Sequence, residues 1–209
     1  VLELKDGDEV IDTVSKRIGF KTVGVEVDDN GVQSFVINGK VVTLSGILYN
    51  ENSPVNGMAV TREEMIADIK QMKELNVNAV RSPGRPLSEE FISLCDEYGL
   101  YVIDDMSLNS NPVTAEDGST SIPGSQTVWQ RACLDRLLNV VSRDKNNASV
   151  ILWALGSDSG AGTNFSILRN WLTSEDSRLI VYDDDDTSSD LVVASNPSLN
   201  DFVQLLKDT

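Results

Sequence analysis

The sequence predicts an α/β fold in which about six βα units follow one another as an incomplete (β/α)8 barrel. After Leu44, short apolar runs alternate with amphipathic segments, the pattern of parallel strands joined by helices. No G-x-G-x-x-G follows the first of these strands, which disfavours a dinucleotide-binding sheet. Polar residues stand at the carboxyl ends of successive strands, where a barrel collects its functional groups. An open doubly wound sheet is the alternative, and the barrel explains the polar positions better.

Residues 1–45 have a different rhythm from the rest of the chain. Apolar and polar residues alternate along short stretches, and residues typical of tight turns, such as Asp6-Gly7-Asp8, separate these stretches. This period of two predicts short strands joined by hairpins.

Helix and strand signals place the later units along the chain. The first helix is expected to begin at Thr61, because Thr61 and Glu64 have the spacing of a capping box. Residues 149–155 are almost entirely apolar, which indicates a strand buried on both faces. The predicted parallel strands are residues 41–48, 78–81, 100–104, 149–155, 179–182 and 191–194. After the helix that begins at Thr61, the predicted helices are residues 86–98, 129–143, 164–173 and 199–207.

Composition narrows the classes of partner. Of 209 residues 40% are hydrophobic, enough for one large buried core. Seventeen basic and 33 acidic residues give a formal net charge of −16, so nucleic acid and anionic membrane surfaces are excluded as expected partners. No apolar run reaches the ~20 residues of a membrane span. The first residues show no targeting pattern, which leaves the compartment open.

The absence of histidine limits the chemistry that the chain can perform. With no imidazole, Ser-His-Asp catalysis, Cys-His catalysis and histidine-ligated zinc are all excluded. Catalysis would therefore depend on carboxylates. Cys95 and Cys133 both fall in predicted helices, where buried thiols are expected rather than a disulfide.

The polar residues at strand ends are the candidate functional groups. Singly, an Asp or Asn after a strand is most often a turn residue or a helix N-cap. Their recurrence at five strand ends, as carboxylates, amides and an arginine, favours a sugar-binding cleft over a phosphate or metal site. The residues concerned are Asn50, Glu51, Arg81, Asp104, Asp105, Ser157, Asp158 and Asp183.

Several motifs resemble glycoside hydrolase family 2, and its β-galactosidase-type members in particular. They occur in the order found in that family and extend over roughly residues 17–195. The motifs are FVINGK (35–40), LSG (44–46), MK (72–73), NVNAVR (76–81), LCDEYGLYVID (94–104), RDKN (143–146) and WALG (153–156).

The resemblance implies a division of the chain and a mechanism. Residues 1–34 would be the last strands of an immunoglobulin-like β-sandwich, and residues 35–209 a partial TIM-barrel glycosidase domain. The family mechanism is retaining, with one carboxylate as acid/base and a second as nucleophile ~5 Å away. Asp158 occupies the acid/base position, and no segment like the family's nucleophile motif occurs up to Thr209.

The resemblance also suggests substrate-binding positions and departures from the family. Besides Asp158, the implied substrate-binding residues are Asn50, Glu51, Arg81, Asp105, Ser157 and Trp153. Where the family has W-S-L-G-N-E-S-G, Ser157 replaces the asparagine and Asp158 the glutamate. Gly84 replaces a histidine after the second strand, and Asn109 and Asn111 replace the Glu and His of the E-T-H-G motif. The resemblance implies that this Glu and His, with the acid/base residue, hold a magnesium ion in β-galactosidases. Because Asn109 and Asn111 replace them here, no metal or other cofactor is expected.

Two functional hypotheses follow from this pattern. The first is a β-galactosidase-like hydrolase domain that cleaves terminal β-galactosides weakly or not at all, because Asp158 is one methylene shorter than glutamate. The second is a non-catalytic relative that binds carbohydrate or serves as a scaffold. A barrel short of two strands leaves open sheet edges, so a homo-oligomer or the remainder of a longer chain is expected to cover them.

Overall fold

A computed structural model describes residues 1–110, 113–114, 121–183, 186–193 and 197–208. The strands are β1 (Leu2–Asp6), β2 (Glu9–Val14), β3 (Val23–Val27), β4 (Gln33–Ile37), β5 (Lys40–Val41), β6 (Gly46–Leu48), β7 (Ala79–Arg81), β8 (Tyr101–Asp105), β9 (Val113–Thr114), β10 (Ser121–Ile122), β11 (Val150–Ala154) and β12 (Ile180–Val181). The α-helices are α1 (Arg62–Glu74), α2 (Glu89–Tyr98), α3 (Thr127–Asp144), α4 (Thr163–Glu175) and α5 (Leu199–Asp208), and a 3₁₀ turn spans Asp186–Ser188. No helix in these ranges is both long enough and apolar enough to cross a membrane.

Five parallel strands form the central sheet, in the order β6–β7–β8–β11–β12. Their spatial order is their chain order, with helices α1, α2, α3 and α4 in the connections. A doubly wound sheet would reverse direction at a switch point, whereas a barrel adds each strand beside the previous one. The sheet therefore confirms the predicted incomplete barrel.

The helix ends follow from local capping. Thr61 caps α1 with the predicted capping box, in which its side chain accepts from the Glu64 amide while the Glu64 carboxylate accepts from the Thr61 amide. Helix α2 begins later than predicted, because the Ser88 side chain caps it at the Phe91 amide. It ends at Gly99, whose φ of 75° suits the left-handed C-cap.

The predicted strand over residues 191–194 is not observed. Leu191 to Val193 are outside any strand, and Ala194 lies outside the described residues. The chain after the 3₁₀ turn instead returns along β12, where the Asp190 amide donates to the Ile180 carbonyl and the Asp190 carboxylate accepts from the Ile180 amide. These bonds satisfy the backbone groups at that edge of the sheet.

The first predicted strand, residues 41–48, is divided in the structure. Its start belongs to β5, in the antiparallel sheet β3–β4–β5, and its end is β6 in the parallel sheet. Ile37 of β4 packs against Ile151 and Leu152 of β11, so the small sheet contacts the parallel sheet. The predicted division after residue 34 falls inside β4 and stays a prediction.

Two edges of the structure expose apolar residues. Every residue of the β1–β2 hairpin is exposed. In the described part of the chain β6 pairs only with β7, and its Ile47 and Leu48 are 39% and 68% exposed. The free side of β6 is thus an open edge with apolar side chains, the kind of edge that usually acquires a partner.

A pair of carboxyl groups is buried between β8 and the end of α3. Asp104 and Asp144 are each 1% exposed. Arg143 donates to both carboxylate oxygens of Asp144, whereas Asp104 forms no ion pair among the described residues and is affected by the Arg143 charge only at longer range. Burial raises the pKa of Asp104 well above its ordinary value, and the neighbouring Asp144 carboxylate raises it further. Asp104 is therefore protonated in the folded state over a pH range in which the unfolded chain is ionised.

We predict that Asp104→Asn stabilises the protein at neutral and higher pH. The raised pKa of Asp104 means that stability is lost as the pH rises from the ordinary value of 3.8 toward the folded-state value. A neutral amide removes this loss, so the free energy of unfolding should increase by about 1 kcal/mol or more at pH 8. Urea unfolding should show the gain shrinking as the pH falls toward 4.

Asp135→Asn is the control, because Asp135 is an exposed aspartate of α3, the helix that carries Asp144. It should change the free energy of unfolding by less than about 0.5 kcal/mol at either pH. A loss of stability in Asp104→Asn at pH 8 would contradict the assignment.

Candidate functional site

Arg81 is the centre of the polar cluster at the carboxyl ends of the parallel strands. Its Nε donates to Asp105 Oδ2 over 3.0 Å, and its Nη2 lies 3.0 Å from Asp183 Oδ1 and 3.1 Å from the Gly156 carbonyl oxygen. The side chain of Arg81 is 14% exposed. The three acceptors come from the ends of three other strands, β8, β11 and β12.

These contacts require a strongly curved sheet. In a flat sheet, β7 and β12 would be three strand spacings apart, about 14 Å. Side chains that stand perpendicular to a flat sheet would not meet over that distance. The ion pair between Arg81 and Asp183 shows that the strands curve toward one another and that the polar side chains point into the concave face.

Burial and charge oppose each other at this cluster. Burial raises the pKa of Asp105 to about 6, and the Arg81 guanidinium limits that rise. Burial disfavours the charged form of Arg81, but the carboxylates of Asp105 and Asp183 outweigh it and raise the pKa of the guanidinium above its ordinary value. The cluster therefore keeps its cation at all ordinary pH values, while Asp105 changes charge near pH 6.

Ser157 belongs to the same cluster. It is buried, and its Oγ donates to Asp183 Oδ2 over 3.5 Å. Its amide donates to the Leu108 carbonyl, which ties the loop after β11 to the loop after β8. Of the residues implied by the resemblance, Arg81, Asp105 and Ser157 are thus brought together, with Asp183 as their common neighbour.

Glycines allow the loops above the strands to pack closely. A Cβ at Gly84 would lie 2.4 Å from the Asn109 Cβ, and one at Gly156 would lie 2.5 Å from the Leu108 carbonyl oxygen. Both glycines also have positive φ, at 63° and 100°. The segment around Leu108 therefore fits between two positions that only glycine can occupy.

Asp158 lies at the rim rather than in the buried cluster. It is exposed, and its φ of 47° places the backbone in the left-handed region. The Ser110 amide donates to its carbonyl oxygen over 3.2 Å. Asp158 is thus fixed by its backbone while its carboxylate remains open to solvent.

Glu51 has a contact that the sequence did not reveal. Its carboxylate accepts from the Ser88 amide over 2.7 Å and from the Ser88 hydroxyl. Because Ser88 is the N-cap of α2, the Glu51 charge lies at a helix N-terminus, where an anion is stabilised. The neighbouring Asn50 is exposed, and neither side chain joins the Arg81 cluster.

Trp153 is placed apart from the other predicted site residues. Its side chain is 1% exposed and belongs to the main hydrophobic core, which also contains Leu168 and Leu172 of α4. The Arg178 guanidinium lies over the indole ring, 4.5 Å from its centroid. The structure therefore does not bring Trp153 to the concave face with Arg81.

The implied magnesium positions are only partly described. Asn109 pairs with Ser157 in a short parallel bridge, beside Asp158 in the chain, and Asn111 lies outside the described residues. An amide and one carboxylate supply less charge than a divalent cation requires, so these donors do not fit the ion. Within the ranges that the structure describes, no three His, Cys, Asp or Glu side chains are grouped to hold a metal.

Comparison with known proteins agrees with the geometry. A sequence model described as glycosyl hydrolases family 2, TIM barrel domain, matches residues 25–205. A β-galactosidase of Streptococcus thermophilus is 38% identical over 180 residues, covering 84% of this chain and 17% of that protein. A β-galactosidase of Priestia megaterium is 39% identical over 187 residues, covering 87% and 18%. This chain thus spans less than a fifth of the length of either relative.

Solved structures show the same fold. A β-D-glucuronidase of Dictyoglomus thermophilum superposes with a TM-score of 0.72 at 24% identity, covering 86% of this chain and 31% of that one. A β-glucuronidase of Ruminococcus gnavus gives a TM-score of 0.70 at 24% identity, covering 85% and 30%. At this level of identity the likeness concerns the fold.

We predict that Arg81→Met destabilises the protein by about 3 kcal/mol, because it leaves two carboxylates in the cluster without their cation. The loss should be smaller at pH 5 than at pH 8, since protonation of Asp105 removes one of the charges. Chemical denaturation at both pH values measures this. Arg62→Met, which removes an exposed pair with Glu90, should cost less than about 1 kcal/mol. Equal losses in the two variants would refute the role of Arg81.

We also predict that Gly84→Ala costs at least about 1 kcal/mol more than Gly57→Ala, because of the contact with Asn109. Gly57 has a φ of 61°, almost the same as Gly84, but nothing lies within 4 Å of a Cβ built there. The pair therefore separates the cost of close packing from that of the backbone conformation. Thermal melting measures both, and adding Asn109→Gly to Gly84→Ala should recover part of the loss.

Proposed function

Because this chain belongs to glycosyl hydrolase family 2, we propose that its site at the carboxyl ends of the parallel strands handles carbohydrate. The expected family activity is retaining hydrolysis of terminal β-galactosides. The observation that supports this most directly is the Arg81–Asp105–Asp183 cluster, which lies where a barrel of this kind gathers its site. The curated β-galactosidases matched over most of the chain support the same substrate class.

A neutral sugar fits the charges of the site better than a uronate. The charge of the Arg81 guanidinium is already offset by two carboxylates, so the cluster offers little net positive charge to attract a substrate carboxylate. The exposed Asp158 and the net charge of −16 would repel an anionic sugar. Hydroxyl groups of a neutral sugar, in contrast, can donate to carboxylate oxygens.

We propose that catalysis by this chain is weak or absent. Asp158 stands where the family has glutamate, and the shorter side chain withdraws the carboxylate from the sugar. A misplacement of about 1 Å can lower a rate ~100-fold. Ser157, directed at Asp183 in the cluster, replaces an asparagine expected to contact the sugar. We also propose that the site works without magnesium, because the donors at Asn109 and Asp158 fit that ion poorly.

The second candidate function is a non-catalytic domain that binds carbohydrate or acts as a scaffold. The contact of Glu51 with Ser88, the N-cap of α2, supports it, because a carboxylate held by Ser88 is engaged in structure rather than offered to a substrate. The open edge of β6 supports a scaffold role further. We propose that this edge is covered by the remainder of a longer chain or by a second copy.

Calorimetric titration tests the proposed substrate class. Methyl β-galactoside should bind and methyl β-glucuronide should not, since the latter brings a carboxylate to an already acidic site. Arg62→Met is the control that should leave binding unchanged, because its pair with Glu90 is exposed and apart from the cluster. No heat with any neutral mono- or disaccharide would refute carbohydrate binding, and preferential binding of the glucuronide would refute the proposed charge selectivity.

A chromogenic β-galactoside then separates the two candidate functions. If the domain is a weak hydrolase, Asp158→Asn should abolish a slow turnover, and Asp158→Glu should raise it by up to ~100-fold. If it is a binding domain, the parent and Asp158→Glu should both bind the sugar without turnover. Turnover that persists in Asp158→Asn would refute the role assigned to Asp158.

A further inference from the structure

Methionine exposure differs sharply within this chain. The protein has four methionines, and Met65, Met72 and Met106 are buried at 5%, 6% and 0% exposure. Met58 is 68% exposed. Because oxidation of a thioether depends on access to the sulfur, Met58 is the methionine open to an oxidant in solution.

Met58 is held in an ordered loop at the rim of the concave face. The loop between β6 and α1 is closed by two hydrogen bonds between the backbones of Ser53 and Gly57. The Ser53 hydroxyl donates to Glu64 over 2.6 Å, which fixes the loop to α1. Met58 follows this closed turn directly, and the amide of Ala59 after it donates to the Asn56 carbonyl over 3.2 Å.

The sulfur of Met58 faces a cation from the next loop. Arg85, in the connection between β7 and α2, lies with its Nη1 3.7 Å from Met58 Sδ. In the described part of the chain no carboxylate forms an ion pair with Arg85. The thioether is a weak acceptor, so this contact holds the two rim loops together only weakly.

Oxidation would change the strength of this contact. A peroxide transfers one oxygen atom to Met58 Sδ, the sulfur loses two electrons to form the sulfoxide, and the reduced peroxide leaves as water. The sulfoxide oxygen is a polar acceptor, and a guanidinium donor makes the bond charge-assisted. The oxygen would be formed on a sulfur that already lies beside Arg85.

We propose that Met58 is a peroxide-oxidation site and that its sulfoxide accepts a hydrogen bond from Arg85, linking the β6–α1 and β7–α2 loops. The modification is reversible, because methionine sulfoxide can be reduced enzymatically. Asn50 and Glu51 belong to the first of these loops and Gly84 to the second. Oxidation therefore stiffens the part of the rim that these two loops form. The inference does not depend on the proposed carbohydrate function.

Treatment of the folded protein with hydrogen peroxide, followed by peptide mapping, tests the first step. Met58 should gain an oxygen at least about ten-fold faster than Met65, Met72 or Met106. In Met58→Leu, no peptide should gain an oxygen during the time in which Met58 of the parent protein is oxidised. Oxidation of the buried methionines as fast as Met58, in protein that remains folded by circular dichroism, would overturn the proposal.

Hydrogen exchange before and after oxidation tests the second step. The amide hydrogens of the non-proline residues in 53–59 and 82–85 should exchange at least about two-fold more slowly in the oxidised protein. Arg85→Leu should still be oxidised at Met58 but should show no slowing, and reductase treatment of the oxidised parent should reverse it. Equal slowing in Arg85→Leu, or none in the parent, would overturn the link to Arg85.

Discussion

The guanidinium of Arg81 joins the ends of four parallel strands, and the functional face depends on it. Its Nε and Nη2 donate to Asp105, Asp183 and the Gly156 carbonyl, so its positive charge is already offset by two carboxylates. Two carboxylates buried without a cation would repel each other and lose their hydration. The same interaction that holds the curved sheet together therefore determines the charge that the concave face offers to a ligand.

Close packing of the loops is the second constraint on this face. The segment around Leu108 lies against Gly84 on one side and Gly156 on the other. The resemblance to the family predicts that Gly84 replaces a histidine and that Asn109 replaces a glutamate. Since a Cβ at Gly84 would meet Asn109, the change at one position is coupled to the backbone at the other. If that correspondence holds, the two positions form one packing unit, because a side chain at Gly84 would require Asn109 to move.

Sequence patterns were most informative where the signal is local. The capping box at Thr61 depends on two residues three apart, and the structure contains both of its hydrogen bonds. The side on which Trp153 packs could not be predicted, because an apolar run has no period that separates one face from the other. The strand also has a register shift between Val150 and Leu152. The hydrogen bond from Ser88 to the Glu51 carboxylate was not predicted, because the two residues are distant in sequence.

The sequence alone determined the family, the order of the five helices and of five of the six predicted parallel strands, and the positions of polar residues at strand ends. These follow from periodicity, capping and motif order, all of which are local along the chain. Only the tertiary structure decided which of those residues meet. Asp183 reaches Arg81 because the sheet curves, and the segment after the 3₁₀ turn covers β12 because Asp190 satisfies its backbone. Both outcomes depend on contacts between distant segments, whose geometry is set by packing of the whole sheet rather than by any one stretch of residues.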